Sequence, residues 1–352
     1  METAPVSLPA YAALLRGNKT FRRLWLAQLV SELGDWLYTV SIYSLIFQIT
    51  GSAQAVAFAF VLQVFPQTLA APAAGVLNDR VSRKRLMIVA DWARAVIVIL
   101  MLLVRTREDF LLLFVLLFLE TVFWALFEPA RTAVIPNITG GGRETLVANA
   151  LSATTWSFTL AAGAGVGGVL AALFGRDFVF VLNAVSFVIS ALLIRSIHIP
   201  EPHLEHVAPF QARDLLGFEP IREGILYVGR DSRLLATMFV KAGMGLMATN
   251  WILIPLLGEK VFPVRLGGMA KEAGMLGMSL LFGARGLGAL IGPFVAARWT
   301  GHDEPRFRQG IFWAFGVSCL GYVVVGFAPS LPVAIAGVFI AHSGSSVAWV
   351  FS

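Results

Sequence analysis

Charge is scarce in this chain and cysteine is nearly absent. Of its 352 residues, 14% are Asp, Glu, Lys or Arg, while 57% are hydrophobic. A soluble domain carries about 25% charge. So little charge over so much apolar sequence excludes a soluble surface and leaves a polytopic membrane protein. The single cysteine, Cys319, sits in an apolar stretch, so no disulfide framework is possible within the chain. The first 20 residues have no apolar core of the kind a cleaved leader needs, so the first span is expected to act as its own insertion signal. There is no P-loop, no Ser-His-Asp arrangement and no metalloprotease helix. The longest polar stretch is too short for a nucleotide-binding domain. These absences exclude an ATP-driven pump and point away from an enzyme. No cofactor and no metal is expected. His198, His203 and His206 lie close together in the chain, which leaves a metal site open, but they read more simply as solvated loop histidines.

Ten segments reach the roughly 20 mostly apolar residues that a span requires: 22–48, 53–78, 86–104, 109–130, 147–172, 177–195, 234–257, 274–297, 310–328 and 331–352. The basic residues fall on alternate loops. Eighteen of the 27 Lys and Arg lie on the side of the N-terminus. Six lie opposite (Arg105, Arg107, Arg176, Lys260, Arg265, Lys271), and three fall inside spans (Arg94, Lys241, Arg285). Lys and Arg resist translocation, so this bias predicts a cytoplasmic N-terminus. The net charge of +6 therefore reads as topology, with no nucleic-acid partner implied.

The longest polar interruption, 196–233, holds an amphipathic stretch from Phe218 to Val228. It is expected to be a cytoplasmic linker between an N-terminal half, 1–195, of six spans and a C-terminal half, 234–352, of four. A faint repeat agrees with that division. Arg23-Leu24 opens span one as Arg233-Leu234 opens span seven, and Gly75 closes span two as Gly292 closes span eight. A parallel repeat of six-helix halves is a transporter architecture, with its site near midplane. On this reading the last two spans are missing and the chain is a fragment of a twelve-span protein.

Between spans two and three runs G-V-L-N-D-R-V-S-R-K-R, Gly75 to Arg85. Asp79, set among Arg80, Arg83 and Lys84, can hold a helix bundle shut at that face and release it. With this loop the chain resembles the major facilitator superfamily, whose loop here reads G-x-L-a-D-r-x-G-r-k. Gly75, Leu77, Asp79, Arg80, Arg83 and Lys84 match in place, and Ser82 stands where the second Gly is usual. Within the superfamily it is similar to the enterobactin-exporter and macrolide-efflux-like branch. That similarity rests on F-x-P-A-x-x-A-x-I-P (Phe127 to Pro136) and L-N-A-x-S-F (Leu182 to Phe187). The resemblance implies an all-α bundle of two rocking six-helix halves, alternating access and, usually, a proton gradient as driving force. It also implies a gate at Asp79 and its basic neighbours, in a multi-pass protein of the bacterial inner membrane. Gly163, Gly165, Gly167 and Gly168 in span five occupy the place of the superfamily's exporter motif G-P-x-x-G-G, with Ala164 in place of Pro. By themselves these glycines read as close helix packing through small residues.

A charge at mid-bilayer is costly and needs an explanation. Glu32 lies about 15 Å along span one at 1.5 Å per residue, and Glu120 and Arg285 reach similar depth in spans four and eight. Asp35 follows Glu32 on the same helix face. Glu32, Asp35 and Glu120 are candidate proton or substrate carboxylates, although Asp35 also suits a structural bond. Lys241 and Arg285 are candidate counter-charges or anchors for an anionic group. Asp91 and Arg94, at i and i+3, suit a self-paired structural bridge. The chain is thus expected to be a monomeric, proton-coupled antiporter that exports hydrophobic or amphipathic small molecules (drug, siderophore or lipid-like). An importer or lipid flippase of the same fold, and a non-transporting sensor or inactive fragment, remain alternatives.

Overall fold

The computed structural model describes residues 7–205, 219–246, 249–264, 273–300 and 304–351. Among these are thirteen α-helices and no strand. In order they are α1 (Leu8–Gly17), α2 (Lys19–Thr50), α3 (Ala53–Arg80), α4 (Arg83–Leu100), α5 (Phe110–Ile138), α6 (Gly142–Phe174) and α7 (Arg176–Arg195). Then follow α8 (Glu219–Arg230), α9 (Ser232–Leu246), α10 (Asn250–Leu256), α11 (Ala273–Thr300), α12 (Glu304–Gly326) and α13 (Leu331–Phe351). Residues 206–218 of the expected linker, and the basic residues Arg265 and Lys271, lie outside the described residues.

Seven helices, α4 to α7 and α11 to α13, are long and apolar enough to cross a membrane by length and composition. They coincide with expected spans three to six and eight to ten. The other three expected spans differ. Helix α2 has 32 residues, but Glu32, Asp35 and several Ser, Tyr and Gln residues dilute its apolar content. In α3 the described side chains give an apolar stretch over Ala53–Gln67. The seventh expected span is divided between α9 and α10, and residues 247–248 between them lie outside the described residues. Among the described residues, seven of the ten expected spans thus coincide with a helix long and apolar enough to cross a membrane.

Local chemistry sets where the helices stop. The positive φ of Gly51 (66°) and Gly175 (84°) ends α2 and α6. Each glycine N–H bonds back to the helix, to Phe47 O and Ala171 O (both 2.8 Å), an αL cap that a Cβ would disfavour. Asn18 separates α1 from α2 and serves two helix ends at once. Its Oδ1 accepts the N–H of Phe21 (2.9 Å), and its Nδ2 donates to the last carbonyl of α5, Ile138 O (2.7 Å), and to Glu144 (2.9 Å). Helix α5 runs to Ile138 rather than stopping near residue 130, passing through Pro129 and Pro136. Proline removes one ladder bond, but in a membrane segment neighbouring groups re-satisfy the freed carbonyl, so the helix continues.

The described residues fall into two compact units. The first comprises Met1–Gly34, Phe58–Trp156 and Phe180–Ile221. Its core joins Phe21 and Leu24 of α2, Met87 and Ala90 of α4, Phe127 and Val134 of α5, Ala148 of α6 and Ile194 of α7. The second comprises Asp35–Ala57, Ser157–Val179 and Arg222–Ser352. It is packed through small residues. On α11, Gly288 and Gly292 lie against the backbone of α13 at Phe339 and Ser343, and Gly286 lies against Ala161 of α6. Such close backbone approach is how membrane helices associate where burial from water gives no driving force. Large apolar side chains such as Phe65, Leu111, Phe312, Trp313 and Trp349 are exposed, as expected of surfaces that face lipid.

Candidate functional site

The loop between α3 and α4 is held by its own charges and by the segment after α7. Arg83 ion-pairs with Asp79 at 3.6 Å, one helical turn away, while its Nε and Nη1 donate to Asn78 O (3.0 Å) and Ala133 O (3.1 Å). Arg83 is thereby mostly buried, whereas the Asp79 side chain is 76% exposed. Ser82 caps α4 by accepting the N–H of Arg85 (3.2 Å). Lys84 and Glu201 make a reciprocal clasp. The Lys84 backbone N–H, in the first turn of α4, donates to Glu201 Oε1 (3.1 Å). The Lys84 ammonium donates to Arg195 O (3.0 Å) and Ile197 O (2.6 Å) at the end of α7. A carboxylate thus sits at a helix N-terminus and an ammonium at a helix C-terminus, each matching the local dipole. His203 lies with Nε2 3.3 Å from Val81 O, and Arg23 donates to Ser196 O (3.0 Å), so the segment after α7 is tied across this loop. Nothing in the residues around Glu201 signals this role, because its partner is 117 positions away.

Two buried charge clusters lie deeper in the first unit. Arg94 is 1% exposed and Asp91 fully buried. Arg94 pairs with Asp91 (3.8 Å), as the i,i+3 spacing suggests, but its shorter bond is from Nε to Glu120 Oε1 (3.0 Å), and its guanidinium covers the ring of Phe187 at 4.0 Å. Glu120 is therefore brought into the Asp91–Arg94 pair. In the second cluster, Gln28 donates through Nε2 to Glu32 Oε1 (2.8 Å) and to Ser152 O (3.1 Å). Its Oε1 accepts from Arg131 Nη1 (2.9 Å). Arg131 is bidentate to Glu128, with Nε at 3.0 Å and a close Nη2–Oε1 contact. Glu128–Arg131 escapes a reading that ends span four at residue 130; the i,i+3 spacing is the signal that could have found it. Asp35 lies in the second unit, and its backbone carbonyl accepts from Thr39 (2.7 Å).

The second unit holds its cations differently. Arg285 lies near the centre of α11 and is 8% exposed. Its guanidinium stacks on Trp251 of α10 at 3.8 Å, with Phe282 at 6.0 Å, and Trp251 stacks in turn on Trp36 of α2 (5.6 Å, 11°). Arg285 pairs with no carboxylate among the described residues, and its Nη1 makes no hydrogen bond there. His342 of α13 is buried; its Nδ1 is 3.2 Å from Ser345 Oγ, and its Nε2 has no partner among the described residues. A desolvated cation–π contact is worth about 2 kcal/mol, while insertion scales put a central arginine at about 2.5–3.5 kcal/mol of cost, so the ring offsets much of the penalty. Lys241 lies over the ring of Trp349 at 4.5 Å. No described contact joins Lys241 to Arg285. Trp251 and Trp36, the partners of Arg285, carry no sequence signal of that role.

The glycines of span five lie on α6. The Gly168 N–H donates to Ser279 Oγ of α11 (2.7 Å), and a Cβ on Gly167 would stand 2.8 Å from Leu37 O of α2. Gly165 faces Gly283 with room for a methyl, and Gly163 is buried. Among the described residues no cluster of His, Cys, Asp or Glu has the arrangement of a metal site.

Residues 10–352 match the family model for transmembrane secretion effectors, a family of the major facilitator superfamily. The MFS-type transporter YkuC of Bacillus subtilis (strain 168) is 24% identical over 339 residues, covering 95% of this chain and 73% of its own. Macrolide efflux protein A of Streptococcus pyogenes is 25% identical over 224 residues, covering 62% of this chain and 54% of its own. The chain thus spans between about half and three quarters of the length of these relatives. The crystal structure of the peptide transporter POT has the same fold, with a TM-score of 0.66 at 13% identity over 94% of this chain and 80% of that one.

Proposed function

The chain belongs to the transmembrane secretion effector family of MFS-type transporters, and on that footing we propose that it is a proton-coupled exporter of hydrophobic or amphipathic small molecules. In this proposal it works as a monomer by alternating access between two six-helix halves, in the inner membrane of a bacterium, with its N-terminus cytoplasmic. Similarity to a macrolide efflux protein supports the outward direction. The observation that carries proton coupling is the chain of groups Glu32–Gln28–Arg131–Glu128, in which a carboxylate deep in α2 is linked through one amide to a buried arginine. Protonating Glu32 weakens the acceptor that Gln28 bonds, and Gln28 holds Arg131 with its other end. One proton thereby alters contacts among α2, α5 and α6. Glu120, bonded to buried Arg94, is the second candidate carrier. Asp79 and its basic neighbours act as the gate at the face where Glu201 and Lys84 clasp the loop.

Efflux of a dye panel from cells carrying the complete gene tests this, with Glu32→Gln and Glu120→Gln compared to wild type. Efflux that collapses with an uncoupler and in one of the variants is the expected result. Retention of every dye by correctly inserted wild-type protein rejects an exporter of broad range. Uptake in place of efflux assigns the chain to import.

A further inference from the structure

We infer that Arg285 is the anchor for an anionic group, and that the substrates bound by the second unit are amphipathic carboxylates with an apolar or aromatic body. This rests on the transport reading above and names its substrate class. The guanidinium is more than nine-tenths buried at the middle of a membrane-spanning helix, the depth at which transporter sites lie. One of its faces is covered by Trp251, and its Nη1 edge has no partner among the described residues. The contrast with the first unit is instructive, since Arg94 and Arg131 both have bonded carboxylates. A desolvated cation with no counter-ion among the described residues is uncompensated, and an anion brought in from outside would compensate it; a guanidinium edge matches a carboxylate with two parallel N–H···O bonds.

The surroundings fit the rest of such a ligand. Trp36, Trp251 and Phe282 supply aromatic surface next to the cation. The Nε2 of buried His342, without a partner among the described residues and with Tyr322 edge-on to its ring at 6.2 Å, supplies polar contact for a second ligand group. The other source of an anion, a lipid phosphate, fits less well. Arg285 is twelve residues from Ala273, about 18 Å along the helix, and so is remote from the headgroups at either end.

Equilibrium binding to the purified chain in nanodiscs of zwitterionic lipid tests the inference. The probes are 1-naphthylacetate, its amide and 1-naphthylmethylamine, which share an apolar body and differ in charge. Quenching of tryptophan fluorescence, compared between wild type and Trp251→Phe because the chain has nine tryptophans, reports occupancy beside Trp251. The carboxylate is expected to bind at least about ten-fold more tightly than the amide, and the amine more weakly than both. In Arg285→Gln that preference disappears while amide binding persists, which also shows that the variant is folded; in Arg285→Lys it is partly kept. Equal affinities in wild type overturn the inference, as does a carboxylate preference that survives in Arg285→Gln. Loss of the preference on adding anionic phospholipid also overturns it, in favour of a lipid-headgroup site. No gradient is present, so retained carboxylate preference alongside absent proton-driven efflux counts against the transport reading alone.

Discussion

The first unit and the second bury arginine in opposite ways. Arg94 is bonded to Glu120 and paired with Asp91, and Arg131 is forked onto Glu128 and bonded to Gln28. Arg285 instead lies on an indole ring with no carboxylate among the described residues. An internally neutralised cluster responds to a proton, because protonating one carboxylate unbalances its partners. An unneutralised cation responds to an anion. The same residue type thus suits coupling in one unit and recognition in the other, and the difference lies in what faces it.

The largest expected effect breaks this comparison directly. Arg94→Met leaves buried Asp91 and partly buried Glu120 without their cation and is expected to cost about 3–5 kcal/mol, whereas Arg285→Met, which strands no carboxylate among the described residues, should fall within about 1 kcal/mol of wild type. Unfolding in mixed micelles measures both, and equal losses would remove the distinction. Next come the glycines. Gly286→Ala drives a methyl into the Ala161 backbone and should cost about 1–3 kcal/mol. In the first unit the same change at Gly75, where nothing lies within 4 Å of a new Cβ, should stabilise by about 0.5–1 kcal/mol. Impaired efflux in a stable Gly75→Ala protein would mean that the other transport state needs the space. Glu201→Gln removes a carboxylate from the first turn of α4 and should cost about 0.3–1 kcal/mol in unfolding. The smallest effect is Asp79→Asn. Its carboxylate is 76% exposed and 3.6 Å from Arg83, so unfolding should shift by less than about 1 kcal/mol. Any large change in accessibility labelling of cysteines placed in α3 then reports the gate rather than stability.

How much of this was legible beforehand follows from distance along the chain. Asp79–Arg83, Asp91–Arg94 and Glu128–Arg131 lie three or four residues apart, and the helical period puts such pairs side by side. The last was still missed, because span four was bounded at residue 130 whereas α5 runs on to Ile138. Arg94–Glu120, Arg131–Gln28 and Lys84–Glu201 join residues 26, 103 and 117 positions apart, and no pattern along the chain announces them.

The sequence by itself determined the class, the membrane-crossing segments of α4 to α7 and α11 to α13, the motif loop at Gly75 to Arg85 and the presence of buried charge. Each of these depends on composition or on the spacing of neighbours, which a linear chain carries in full. Only the tertiary structure decided that Glu120 belongs to Arg94, that Glu201 closes on Lys84, and that Arg285 meets Trp251 instead of a carboxylate. Those outcomes depend on how each helix is rotated and which face it turns to its neighbour. In a membrane, small residues and buried polar bonds set that rotation rather than the hydrophobic pattern, since lipid is as apolar as the helices it surrounds.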